Sequence, residues 1–344
     1  MEILSYSFIM AVSLFAILFA CIIFTNAIEH AGEHLGLSNR TMGSVFASIG
    51  TGLPETIVPL VAIFGAYLSG EAIDVSNDIG IGAILGSPFM ISTFAFFVAA
   101  LFIIFFAFLR ERKFEINIDN KLILRDLKFF IAGYSIAFLA SIIKFSYSKI
   151  VFSILLISIY AFYVYRTIKK DKGNENEQGD IPLYFQFFPT NELMHRFILW
   201  FQLLCSIIGI VYFSRLFVKS IMFFANLTHV NALILSLFLA PVATELPEMI
   251  NSIIWIKNSK DNLAFANLSG AIVYQATVLP AIGIILTPWI LSSIAVVNII
   301  FVYIAILSLG TVLIFNKQKI SLKLLFLNGI YWLLYLLYVI FMKG

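Results

Sequence analysis

Charge is what this 344-residue sequence has least of: Asp, Glu, Lys and Arg together make up 12% of it. A soluble globular protein carries about 25%, so the chain cannot clothe a water-facing surface of its size. Set against 61% hydrophobic residues and a mean hydropathy of +1.00, that shortage excludes a soluble enzyme, a disordered protein and a nucleic-acid-binding domain. Cysteine is almost absent. Cys21 and Cys205 both sit inside apolar runs, so no disulfide framework follows and each reads as a small buried hydrophobe. Signatures of intramembrane catalysis are missing as well: there is no HExxH pair, no nucleophile–base constellation and no Asp-rich lipid-phosphate motif. The chain is read as not an enzyme, with no resident cofactor. The net charge of +3 says nothing about protein partners.

What the sequence has instead is long apolar runs, at about 3–26, 41–69, 78–109, 127–146, 149–166, 195–224, 229–256, 262–286, 289–315 and 321–342. A hydrocarbon core of about 30 Å asks for about 20 helical residues per crossing. Spanning β-strands would alternate apolar and polar residues over about ten positions, which these runs do not. The expected fold is all-α, a polytopic membrane protein of about ten transmembrane helices. The first run continues to about Asn26 and has Glu2 where a leader would be basic, so it reads as a membrane helix and not as a cleavable signal. Only Lys144 and Lys149 separate the fourth run from the fifth.

The one long hydrophilic stretch, Lys169 to Asp180, lies near the middle and reads as a solvated linker. It divides the chain into a first transmembrane repeat (1–168), a cytoplasmic linker (169–194) and a second repeat (195–344). With ten crossings, 17 of the 22 Lys and Arg fall on one side of the membrane. By the positive-inside rule that side is cytoplasmic, which places both termini outside an expected plasma-membrane protein.

Two runs break the pattern of an apolar helix in the same way. The second contains Gly50-Thr51-Gly52-Leu53-Pro54-Glu55, and the seventh contains Ala243-Thr244-Glu245-Leu246-Pro247-Glu248. Each puts a Pro-Glu pair near mid-membrane, with a Thr four residues before the Glu. Proline removes a backbone donor and frees the carbonyl four residues back, and such backbone is tolerated at membrane depth where it lines a cavity. The i, i+4 spacing aims the hydroxyl and the carboxylate the same way. The following runs are both rich in small residues, Gly80–Gly86 and Ala264–Ala271, which permit close helix approach. The unit therefore occurs twice, and the topology makes the two copies inverted, the architecture of secondary transporters with an ion site where the repeats meet. Ionised and unpaired, Glu55, Glu245 and Glu248 would together cost roughly 8–10 kcal/mol. No Lys or Arg lies at that depth in either segment, so the compensation is expected from bound cations, protons or water.

These residues resemble the cation/calcium exchanger superfamily, which includes sodium/calcium and calcium/proton exchangers. Its repeats typically read G-[ST]-S-x-P-E on one helix and G-N-x-x-G-S-N-x-x-[ND] on the next. GTGLPE at Gly50–Glu55 and GAILGSPFMI at Gly82–Ile91 match well, and ATELPE at Ala243–Glu248 and ANLSGAIVYQ at Ala266–Gln275 match more loosely. The resemblance implies a fold of two inverted five-helix repeats. It places the family's glutamates on Glu55 and Glu248, its hydroxyl and carbonyl ligands on Thr51, Thr244, Ser87 and backbone near Ser48 and Pro241, and its last polar ligand on Gln275. Two positions depart from the pattern: Gly52 and Glu245 replace the Ser, and Ile91 replaces an Asn or Asp. Calcium suits clustered carboxylates and carbonyls, so the implied function is Ca²⁺/Na⁺ antiport. Ca²⁺/H⁺ antiport is the alternative suggested by Gln275, and a passive cation channel is a further one. The transported cations and the lipid bilayer are the expected partners.

Outside the repeats, Glu29, His30, Glu33 and His34 cluster at the inner end of the first helix, with the histidines at i, i+4. They read as a solvated helix end, with a regulatory cation or pH sensor as the alternative. Asn251 and Asn267 are candidates for hydrogen bonds to the Pro-Glu helices. Asp74 and Asp78 read as an outer loop, the Phe residues of 94–108 as lipid-facing bulk, and Trp255, Trp289, Trp332 and Tyr331 as interface anchors or packing.

Overall fold

A computed structural model describes residues 2–34, 47–69, 73–113, 116, 118–170, 182–186, 188, 191–315 and 322–342. Among these residues the chain forms ten helical rods and no strand. They are α1 (Glu2–His34), α2 (Ala47–Ser69), α3 (Ile73–Phe108), α4 (Asn120–Ile142), α5 (Ser148–Lys170), α6 (Glu192–Thr228), α7 (Ala232–Lys257), α8 (Asp261–Leu286), α9 (Ser293–Phe315) and α10 (Leu322–Phe341). Eight are long and apolar enough to cross a membrane. The other two are α2, whose described apolar part is Gly52–Gly65, and α4, which carries Lys121, Arg125, Asp126 and Lys128 near its start. The chain is an integral membrane protein.

The packing repeats itself. α1 lies along α6, α2 on α3 as α7 lies on α8, and α3 on α7 as α8 lies on α2. The peripheral helices follow the same rule: α4 and α5 pack on each other and on α8, as α9 and α10 pack on each other and on α3. Exchanging each helix for the one five places on maps these contacts onto themselves. The tightest crossing is α3 on α7. A Cβ on Gly82 or Gly86 would collide with the carbonyl of Leu233 or Leu237 respectively, so glycine sets the distance between the two backbones there.

Several expectations change. Neither Pro-Glu segment is broken: α2 runs through Pro54 and Pro59, and α7 through Pro241 and Pro247. Proline deletes one ladder bond and frees one carbonyl without requiring the next turn to unwind. Asp74 and Asp78 belong to the first turns of α3 and not to a loop. The Phe run is two-sided: Phe105 and Phe108 are exposed, while Phe96 and Phe106 are buried, because α3 is the most enclosed of the long rods in its half. Its middle contains a π-helical turn, Met90–Ala95, which shifts the face that follows. Of the two readings offered for Trp289, packing holds: it is a core residue whose Nε1 donates to Ala137 O at 3.0 Å. Cys21 is buried but Cys205 only partly so.

Part of the central linker is tied down. Tyr184 N donates to Asn26 Oδ1 at 3.0 Å and Phe185 N to Gln202 Oε1 at 2.9 Å. Gln202 Nε2 donates in turn to Ile23 O and Asn26 Oδ1, both at 2.9 Å. Leu183 is buried between α1 and α6. Of the Glu29, His30, Glu33 and His34 cluster only the His30 side chain lies within the described residues, and it meets His195 edge to face at 5.8 Å.

Candidate cation site

The site lies where α2, α7 and α8 meet. Glu55 on α2 and Glu245 and Glu248 on α7 are all buried, and one carboxylate oxygen from each lies within 4.8 Å of the other two. The same turn of helix that brings Thr244 to Glu248 carries Glu245 to the neighbouring position, so α7 supplies two carboxylates and α2 one. Oxygens bind Ca²⁺ at about 2.3–2.6 Å, so two ligands on opposite sides of one ion stand up to roughly 5 Å apart. The three carboxylates are therefore within reach of a single divalent cation.

Gln275 on α8 ties the two repeats together. Its Nε2 donates to Glu55 Oε1 at 3.0 Å and to Glu245 Oε2 at 2.8 Å. Glu245 Oε1 also accepts from Thr244 Oγ1 at 3.2 Å, and the Thr244 hydroxyl stands 3.4 Å from Ala240 O. Ser87 on α3 and Glu55 both interact with the Glu245 carboxyl, and one oxygen of Glu55 lies within 4.8 Å of one of Glu245. Two carboxylates that close have only acceptors to offer each other. Among the described residues, no ion pair engages Glu55 or Glu245, and the buried atoms Glu55 Oε2 and Gln275 Oε1 have no hydrogen-bond partner. A hard cation is bound by oxygens of this chemical type.

Most of the residues expected from the sequence come together. Glu55, Glu245, Glu248, Thr244, Ser87 and Gln275 share one site. Thr51 lies in α2, but its side chain, like that of Ser48, is outside the described residues. Ile91, where a polar ligand was looked for, is wholly buried in the apolar core. Asn267 acts as expected: its Nδ2 stands 3.2 Å from Glu248 O and 3.3 Å from Ser252 Oγ. Asn251 is half-buried on α7, three residues beyond Glu248.

Three neighbours were not foreseen. Tyr274 lies over Gly52, where a Cβ would stand 2.6 Å from its ring. Its hydroxyl is 2.7 Å from Thr56 Oγ1, which donates to Gly52 O at 2.9 Å. Gly52 is thus small because an aromatic ring from the other repeat occupies the space. The third neighbour is Cys21 on α1, buried in the apolar cluster that includes Val58 of α2 and Ala240 and Ala243 of α7, so α1 packs against the helices that carry the carboxylates. An adjacent Tyr and a lone Cys in apolar runs carry no sequence signal that would have marked them.

Comparison with known proteins identifies the family and the fold. A profile of the sodium/calcium exchanger protein family matches residues 5–169 and 198–344. The fold is similar to that of the H⁺/Ca²⁺ exchanger CAX, with a TM-score of 0.74 and 18% identity over 98% of this chain and 86% of that one. It is similar to the sodium-calcium exchanger NCX_Mj, with a TM-score of 0.60 and 19% identity over 96% of this chain and 98% of that one. It is also similar to YfkE, with a TM-score of 0.63 and 12% identity over 96% and 89%. No curated protein sequence matches the chain.

Proposed function

The chain belongs to the sodium/calcium exchanger protein family, and from that premise we propose that it is a secondary active antiporter of the cell membrane that carries Ca²⁺ against a counter-flow of protons by alternating access. The observation that carries this reading is the set of three buried carboxylates within 4.8 Å of one another. A divalent ion offsets two of the three negative charges as one load, and protons offset them as the other. Either load removes charge that would cost about 2.5–3.5 kcal/mol per carboxylate at membrane depth, so a loaded site changes the side it faces at lower cost than an empty one.

Support for the proton as coupling ion comes from what surrounds the carboxylates. One oxygen of Glu55 and one of Glu245 lie within 4.8 Å of each other, close enough that a proton on either relieves the repulsion between two bare carboxylates. Several sodium ions would each need their own oxygen shell, yet the position of Ile91 is apolar and closed. Sodium remains the second reading, favoured by the Thr244 and Ser87 hydroxyls beside Glu245, which add neutral oxygens suited to a monovalent ion. In either case Glu55 and Glu248 hold Ca²⁺, Glu245 takes the coupling ion, and Gln275 orients Glu55 and Glu245. The paired α1 and α6 form the moving wall, with both termini extracytoplasmic.

Purified protein in sealed proteoliposomes tests this. Calcium uptake is measured under an imposed pH gradient and, separately, under an imposed sodium gradient. The expected result is uphill uptake driven by the pH gradient. Uptake driven by sodium alone selects the second reading, and downhill flux with no dependence on either gradient rejects antiport in favour of a channel.

A further inference from the structure

On the outer half of the molecule, α2 and α6 leave a crevice of about 180 Å³ between them, lined by Ile57, Leu60, Val61, Phe64, Val211 and Arg215. All but Arg215 are apolar. Arg215 is exposed, as is Lys219 one turn further along the same face of α6. Among the described residues neither makes an ion pair or a hydrogen bond with the protein. The other described cations of the outer side are engaged: Lys144 Nζ donates to Ala140 O at 3.2 Å and Lys149 Nζ to Thr287 O at 2.6 Å.

The depth of the crevice follows from the helix. Gly65, at its upper end, lies ten residues beyond Glu55 on α2. At about 1.5 Å per residue that is about 15 Å, half of a hydrocarbon core of about 30 Å. Glu55 lies within 4.8 Å of Glu245, which sits at the centre of α7, so the upper end of the crevice lies at the outer hydrocarbon–headgroup boundary, toward which the long side chains of Arg215 and Lys219 on α6 extend. The lower end, Ile57, is two residues from Glu55. A guanidinium and an ammonium at headgroup level, with an apolar slot running below them toward the midplane, have the shape and charge of a lipid: phosphate above, acyl chain below.

We infer that the α2–α6 crevice is a binding site for an anionic phospholipid of the outer leaflet, its phosphate held by Arg215 and Lys219 and one acyl chain laid against Ile57, Leu60, Val61 and Val211. Two cations that make no ion pair among the described residues select a lipid of net negative charge over a zwitterionic one. The chain of that lipid closes the seam between α2, which carries Glu55, and α6, the partner of α1. This site rests on the chain's spanning a bilayer and is independent of the coupling ion.

The test reads lipid and not transport. Detergent-purified protein is offered phosphatidylglycerol and phosphatidylcholine in equal amounts, and the bound lipid is counted by native mass spectrometry. Wild type is expected to keep phosphatidylglycerol at least about tenfold over phosphatidylcholine, a difference of about 1.4 kcal/mol. The R215Q/K219Q variant removes the charge, and Val61→Trp fills the slot with the charge left in place; both are expected to lose that preference while eluting as wild type does. Retention at the wild-type level by either variant, or no preference in the wild type, overturns the assignment.

Discussion

Gln275 and Glu55, 220 positions apart in sequence, are joined by a 3.0 Å hydrogen bond at the centre of the molecule. The amide comes from the second repeat and the carboxylate from the first, and the same nitrogen reaches Glu245 at 2.8 Å. The bond does what an alkali or alkaline-earth ion would do more strongly: it gives a positive edge to two acidic groups facing each other in an apolar interior.

Replacing Gln275 with Ala removes both bonds. A hydrogen bond to a charged group is worth about 1.5–3 kcal/mol, part of which a bound ion takes over. The expected outcome is Ca²⁺ binding weakened by about tenfold, or about 1.4 kcal/mol, measured by ⁴⁵Ca²⁺ titration of the purified protein, with thermal stability little changed.

On the proposed reading protons and Ca²⁺ compete for the same oxygens, so Ca²⁺ affinity is expected to fall as pH falls. Binding of the ion releases protons. In Glu245→Gln the release measured at constant pH should drop by about one proton per Ca²⁺, while Ca²⁺ binding itself persists. Calorimetry in buffers of different protonation enthalpy measures that number. Unchanged release would remove Glu245 from the coupling role.

Gly86 stands against the carbonyl of Leu237, so Gly86→Val must push α3 away from α7. Overpacking of this kind costs about 1–3 kcal/mol or more, and a lowered melting temperature in detergent is expected, with weakened transport. Gly209→Ala is the control. Its nearest contact would be an ordinary 3.5 Å, and in a helix the change should be neutral or slightly stabilising.

Arg112 and Asp261 form a buried bidentate pair at 2.6 and 2.9 Å, with Arg112 Nη1 also donating to Ile256 O at 2.8 Å. The pair fastens the segment after α3 to the corner between α7 and α8. Removing one partner leaves a buried charge, at about 3–5 kcal/mol. Arg112→Gln and Asp261→Asn should each lower thermal stability strongly, and the double variant should cost less than the sum of the two.

The ten helices were legible because a bilayer demands about 20 apolar residues per crossing, and no soluble constraint competes with that demand. Glu55, Glu245 and Glu248 stood out for the complementary reason: charge at that depth is expensive, so its presence is informative. Three things were not legible. Thr56 and Tyr274 meet across the two repeats, and nothing in an apolar run marks which aromatic ring will cover which glycine. Phe96 and Phe106 look like their exposed neighbours Phe105 and Phe108, since in a membrane both the core and the lipid face are apolar. The helices' persistence through Pro54 and Pro247 depends on neighbouring helices holding each rod in place, which is tertiary information.

The central claim is that Glu55 and Glu248 hold the transported ion together. The direct measurement is ⁴⁵Ca²⁺ uptake by proteoliposomes containing wild type, Glu55→Gln or Glu248→Gln at matched protein density. The account predicts gradient-driven uptake by the wild type and loss of at least about a hundredfold, or about 2.7 kcal/mol, in each variant. Uptake at the wild-type rate in either variant would contradict it.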